Sequence, residues 1–238
     1  MQTPKITGIS SMATRQVLAE LAAAYRQQSG TDFANDVATE VSIESVGGVD
    51  AAQRVQAGEA FDFVVLAADA IAKLIASGQV LADSRTDLVR STVAIAVRAG
   101  SPRPDVGSED ALRRAVLAAR TLGYSTGPSG TALLQLFARW GIADLVRDRI
   151  VQAPPGVPVG QLVADGAVEL GFQQFSEMLH QPGIEVLGTM PPGCEIVTTF
   201  SGGVCTATKQ AAAARTLLAF MHSPAADDAK RRHGMEPA

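Results

Sequence analysis

The chain has 238 residues, of which 47% are hydrophobic and 18% charged, and a formal net charge of −4. That length gives one large domain or two of about 100–120 residues each, with enough apolar material for a real core. Only 5% of residues are aromatic and no basic stripe is present, which argues against a nucleic-acid surface, and no apolar run approaches the ~20 residues of a membrane span, so no membrane insertion is expected.

The first third alternates strand and helix. Residues 6–10 (ITGIS) read as a strand, and 13–30 as an amphipathic helix with Val17, Leu18, Leu21 and Tyr25 at helical spacing and Gly30 as its stop. Residues 39–46 alternate with period two, 49–58 read as a helix ending at Gly58, 61–67 as a short buried parallel strand, and 69–80 as a helix ending near Gly78. This βαβαβα order predicts a parallel sheet flanked by helices.

The middle repeats the theme. A long apolar strand at 91–98 precedes a Pro/Gly/Ser loop, a helix at 109–119, a strand at 119–125 and a helix from Gly130. Strands follow at 148–154, 168–174 and 184–190, with a helix at 159–166. The last third returns to strand at 196–208 and ends in helices at 209–222 and 223–234. The long strands at 91–98 and 196–206 are the expected passages between two lobes.

In open α/β sheets, ligands sit beyond the carboxyl ends of the strands, where helices begin with free N–H groups that attract anions. Four such junctions here are rich in small polar residues: Ser10-Ser11-Met12, Ser45-Val46-Gly47-Gly48, the run from Tyr124 through Ser125, Thr126 and Ser129 to Thr131, and Gln173-Gln174. Taken singly, each reads as helix capping. Taken together, they predict an anion site of hydroxyls and N–H groups, with Arg15 one turn inside the first helix. Glu177, four residues after Gln173, is either an acid/base or a solvated helix carboxylate. Surface positions are expected for His180, His222 and His233, core positions for Phe137 and Trp140, and a solvated face for Lys230-Arg231-Arg232. Cys194 and Cys205 read as unlinked buried thiols, a hairpin-closing disulfide being the alternative; no zinc pattern accompanies them and no cofactor is expected. Met1–Pro4 carries no leader pattern, which leaves open a periplasmic protein whose signal has been removed and a cytoplasmic one.

In order along the chain, "GISSMA", "VQAGEAFDFVVLAADAIAKLIASGQV", "LVRSTVAIAVRAGSP", "YSTGPSGTALLQLFARWGI", "VGQLVADGAVELGFQQ" and "SPAADDAKRRHGMEP" resemble the type II periplasmic solute-binding proteins of ABC importers, most closely the molybdate-binding branch. The resemblance implies an α/β fold of two lobes, two parallel or mixed sheets joined by crossing hinge strands, and a small anion enclosed by hinge closure. Lobe 1 would be residues 1–86 plus 194–238 and lobe 2 residues 87–193.

The branch holds its oxyanion with serine hydroxyls and N–H groups, which by position are Ser10, Ser11 and the Gly47-Gly48 stretch, and with a tyrosine at whose position this chain has Gln174. That departure suits a larger, partly organic anion. Aconitate isomerase resembles a related branch of the same fold, so an isomerase of unsaturated polycarboxylates, its base unidentified, stands beside the expectation of a monomeric binding protein that hands its ligand to an ABC permease. A cytosolic anion sensor is the third expectation.

Overall fold

The structure, a computed structural model, describes residues 5–29 and 40–238. The stop expected at Gly30 lies outside the described residues. The chain divides into two compact units, one of residues 1–90 and 199–238, the other of residues 91–198.

Unit 1 contains β1 (Lys5–Ser11), α1 (Arg15–Ser29), β2 (Glu40–Val46), α2 (Gly48–Gln56), β3 (Phe63–Ala67) and α3 (Ala68–Ala76). The chain then enters β4 (Thr86–Arg98), whose first five residues belong to this unit. β2, β1 and β3 run parallel, as the alternating pattern predicts, with Ser10 opposite Ser45 and Val65. Residues alternate across β3: Phe63, Val65 and Ala67 join a core with Val17, Leu18 and Leu21 of α1, while Val64 and Leu66 join Ala51, Val55, Ile71 and Leu74 of α2 and α3. Both faces of this strand are covered, which explains its unbroken apolar run. Gly8 of β1 leaves room for the Phe63 ring, whose nearest atom would lie 2.3 Å from an added Cβ.

Unit 2 holds the rest of β4, then α4 (Glu109–Ala118), β5 (Leu122–Tyr124), α5 (Pro128–Arg139), α6 (Ala143–Val146), β6 (Ile150–Gln152), α7 (Val159–Ala164), β7 (Leu170–Gln174), α8 (Phe175–Met178) and β8 (Ile184–Thr189). β5 lies parallel to both β6 and β7, whereas β4 is antiparallel to β7 and β8. Period two governs β4 here as well. Val93, Ile95 and Val97 face a core with Leu133, Leu136 and Phe137 of α5, and Ala94 and Ala96 face Val159 and Val163 of α7. Trp140 packs against the first of these cores, as expected, and donates its Nε1–H to Glu109 Oε1 at 2.6 Å.

β9 (Val197–Val204) leaves unit 2 after Thr198 and pairs antiparallel with β3 in unit 1, followed by α9 (Ala211–His222), α10 (Asp227–Arg232) and β10 (Glu236–Pro237), the last antiparallel to β4 at Val89 and Arg90. Among the described residues no helix is long and apolar enough to cross a membrane. Cys194 and Cys205 are free, buried and in different units, and burial pushes their thiols up to about 11 and about 12.

Two surface expectations are corrected. Lys230 is fully buried, with Nζ 3.1 Å from Asp227 Oδ1, because it continues the inward row of Ala226 and Ala229; Arg231 and Arg232, its neighbours in the basic run, do face solvent. His233 is only partly exposed and meets Glu20 Oε2 of α1 at 2.8 Å through Nε2.

Ser91 is fully buried and its Oγ has no hydrogen-bond partner among the described residues. An unpaired buried hydroxyl costs about 1–3 kcal/mol. Ser91→Ala is therefore expected to stabilise the protein by about 1 kcal/mol, read as a rise in the urea midpoint at unchanged slope.

Candidate functional site

In unit 1 the carboxyl ends of β1 and β2 lie side by side, and the register brings two serines together: Ser10 Oγ is 2.9 Å from Ser45 Oγ. Ser10 is fully buried, so its hydroxyl braces the strand ends. Ser11 is more open. It caps the short 3₁₀ turn at Met12–Thr14, but its Oγ accepts from the Ala13 N–H at a long 3.4 Å, which leaves most of that oxygen's bonding capacity unused. Its Oγ would stand 3.5 Å from a Cβ added at Gly48, so Ser11 adjoins the first turn of α2. Met12 lies in the same 3₁₀ turn, partly exposed. Arg15, exposed at the start of α1, borders a recess of about 480 Å³ together with Ser45 and Arg26. Gly47 precedes α2 with nothing within 4 Å of where its Cβ would be.

The capping reading fails at two of the four junctions, where longer helices begin: α2 follows Gly47 and α5 follows Gly127, and neither has a side-chain cap. Their first N–H groups remain available as donors at the positive end of each helix dipole.

In unit 2, β5 ends at Tyr124, opposite Phe172, and β7 runs two residues further to Gln174. The loop after β5 carries Ser125, Thr126 and Ser129 into α5. Gly127 holds φ +102°, which L side chains rarely adopt. Pro128, with no N–H to waste, opens the helix. Thr131 makes the first intrahelical bond, to Gly127 O, so the N–H groups of Ser129 and Gly130 point out of the helix end. Gln173 and Gln174 end β7 on opposite faces. Gln173 accepts from Gly160 N–H, at the start of α7, at 3.3 Å and donates to Glu177 Oε1 at 2.8 Å. Gln174 is 4% exposed; its Nε2 donates to Thr198 Oγ1 at 2.8 Å while its Oε1 has no partner among the described residues. Since a threonine hydroxyl donates as well as accepts, a half-turn of the amide would satisfy Oε1 and release the NH₂ group as a donor.

Glu177 is not the solvated carboxylate that was one of its two readings. It is mostly buried, and desolvation pushes its carboxyl up to about 7, opposed only by the hydrogen bond from Gln173. Thr198, Gly160 and the burial of Glu177 escaped sequence reasoning because they depend on contacts across strands; Ser45 was visible beside its glycine pair, and its pairing with Ser10 was not. The structure thus places Ser10, Ser11, Gly47 and Gly48 at the carboxyl ends of strands in unit 1 and, separately, Ser125, Thr126, Ser129, Gln173 and Gln174 at the carboxyl ends of strands in unit 2.

Comparison with known proteins agrees with this architecture. The family model of the bacterial extracellular solute-binding proteins matches residues 6–236. An aconitate isomerase from Pseudomonas sp is 35% identical over 98% of this chain and 87% of its own length. The periplasmic molybdate-binding protein of Azotobacter vinelandii shares the fold with a TM-score of 0.77 at 20% identity, over 97% of this chain and 98% of that one. The sulfate-binding protein SubI of Mycobacterium tuberculosis H37Rv does so with a TM-score of 0.78 at 17% identity, over 99% and 87%. With a family match along almost its whole length, this chain belongs to the bacterial extracellular solute-binding proteins.

Proposed function

We propose that the chain binds a small organic polycarboxylate through neutral donors, and serves outside the cytoplasmic membrane as the binding component of an ABC importer. The observation that carries this reading is that α2 in unit 1 and α5 in unit 2 each start uncapped beside serine or threonine residues at the carboxyl end of a strand. Such ends attract anions without a cation being required. A polycarboxylate is favoured over a bare oxyanion by Gln174, whose amide reaches less far than the tyrosine of the molybdate-binding branch, and by the 35% identity to an aconitate isomerase. That identity also favours a second reading, in which the bound polycarboxylate is isomerised rather than delivered.

The test is titration calorimetry with molybdate, tungstate, sulfate, phosphate, citrate and the two aconitates. Binding of the carboxylates alone is the expected result; binding of molybdate or tungstate alone overturns the choice of ligand class. The serine pair gives the site its own check. Ser11→Ala removes a hydroxyl that faces the helix start of α2, and a hydrogen bond to a charged ligand contributes about 1.5–3 kcal/mol. Affinity should fall about 10- to 100-fold, with the unfolding midpoint almost unmoved. Ser10→Ala should behave in the opposite way, leaving Ser45 short of a partner and lowering stability with little direct effect on affinity. Equal affinity for wild type and Ser11→Ala would remove Ser11 from the site.

A further inference from the structure

We propose that unit 2 carries a second binding site, away from its serine and glutamine loops, for a monoanion with an apolar body, such as a medium-chain or aromatic carboxylate.

The site is built where helices end rather than where they begin. α4 finishes at Ala118 and is followed by Ala119, and the turn after α7 is Gly166-Ala167, so small residues stand at both places. These four residues border a recess of about 580 Å³, the size of a small-molecule pocket. Thr121, Glu169 and Leu170 place it at the amino ends of β5 and β7. β4 runs antiparallel to β7, so its carboxyl end, Val97 and Arg98, reaches the same border. Gln174, at the other end of β7, pairs with Val93, five residues before Arg98 on β4. At the rise of a strand that is about 16 Å along the sheet. The recess is therefore separate from the loops that carry Ser125, Thr126, Ser129 and Gln174.

Its lining has two parts. Pro102, Pro104, Ala118 and Ala167 give it apolar surface. Against this stand three guanidinium groups, those of Arg98, Arg103 and Arg120, and one carboxylate, Glu169. Glu169 Oε2 accepts from the backbone N–H of Arg120 at 2.7 Å and from its Nε–H at 3.1 Å. Arg103 Nη1 lies 2.9 Å from Glu185 Oε1. Arg98 differs from both. Its side chain has neither a hydrogen-bond nor an ion-pair partner among the described residues, and its Nη1 stands 3.4 Å from where a Cβ on Gly166 would be. Two of the three cations are matched and one is not, which suits a single anionic head. A guanidinium offers a carboxylate two parallel N–H groups. A polycarboxylate would bring further negative charge toward Glu169 and Glu185, so this recess suits a different class of ligand from the strand-end loops. The apolar lining rewards a ligand body that covers it, which a bare inorganic anion lacks.

The experiment is titration calorimetry with octanoate and benzoate. Acetate and phosphate supply a head without a body, and 1-octanol a body without a charged head. Wild type is compared with Arg98→Met, which keeps the stem and removes the charge, and with Ala118→Trp, which fills the recess; both positions are exposed. Octanoate and benzoate should bind wild type at one per chain, with acetate, phosphate and 1-octanol at least about tenfold weaker. Arg98→Met should weaken octanoate at least about tenfold, since it removes a hydrogen-bonding partner of a charged head. Ala118→Trp should abolish binding, and Ser11→Ala, at the unit 1 loops, should leave it unchanged. In amide NMR spectra octanoate should shift Ser101, Thr121 and Gly166, which all border the recess. Failure of both carboxylates to bind below about 10 mM overturns the proposal, as does equal binding of 1-octanol or a smaller loss in Arg98→Met. Should Ala118→Trp fail to fold, Arg98→Met and the amide shifts decide.

Discussion

Gly130→Ala is expected to be the most damaging small substitution in unit 2, costing about 3 kcal/mol and abolishing ligand binding. A Cβ at this position would stand 2.1 Å from the backbone oxygen of Ser125 and 2.7 Å from the Tyr124 ring. Neither neighbour is a flexible side-chain end. The oxygen belongs to the loop that carries Ser125, Thr126 and Ser129, so the methyl group can be admitted only by lifting that loop off the start of α5. Stability and binding should therefore fail together. Gly47→Ala in unit 1 separates the two effects. Gly47 has φ −55°, open to any residue, and no atom lies within 4 Å of the added carbon. Its unfolding midpoint should match that of wild type, while an added methyl group at the uncapped start of α2 crowds an approaching anion. Calorimetric unfolding and ligand titration on both variants provide the check. A Gly130→Ala protein with wild-type stability would mean that the loop is not held against α5 as described.

The contrast between these glycines also shows what could be read from the sequence. Both lie in runs that the residue pattern marked as strand-to-helix junctions, and the order of strands and helices was legible because the short apolar run of β3 and the longer one in β4 are set off by polar turns. Local chemistry stops there. That Gly130 is obligatory follows from Ser125 O folding back over it, a tertiary contact. Ser10 and Ser11 are adjacent and chemically alike, yet one is sealed against Ser45 and the other stays open, because successive residues of a strand point to opposite faces and only one face of β1 meets Ser45. Lys230 reads as solvated within a run of three bases and is buried by the helical period instead. Glu177 is the most consequential case. Its spacing from Gln173 was visible, but its raised carboxyl pKa comes from desolvation by tertiary packing, which is not written in the local sequence.

That basicity has a consequence for stability that needs no substrate. A carboxyl at about 7 in the folded chain and 4.5 when unfolded binds more protons in the native state across that interval. Stability must then fall as the pH rises from about 4.5 to about 7, and the contribution, complete below the unfolded value, is lost above the folded one. At about 1.36 kcal/mol for each unit, the whole interval amounts to about 3 kcal/mol. The other shifted carboxylates act with opposite sign in a different window. The Arg232 contact holds Glu20 below the usual range, the Trp140 indole and then Arg139 do the same for Glu109, and the Arg120 N–H does so for Glu169. Their contributions are present above the ordinary carboxylate value and are lost only as the pH falls through their lowered ones. Wild type should consequently be most stable near pH 5 and lose stability on both sides. Glu177→Gln keeps the hydrogen-bonding size of the side chain without the charge. It should match wild type near pH 4.5, exceed it by up to about 3 kcal/mol at pH 8, and retain the acid limb unchanged. Urea unfolding of both proteins at half-unit intervals from pH 3 to 8.5 tests this. Parallel curves for the two proteins above pH 5 would show that Glu177 ionises freely in the folded chain.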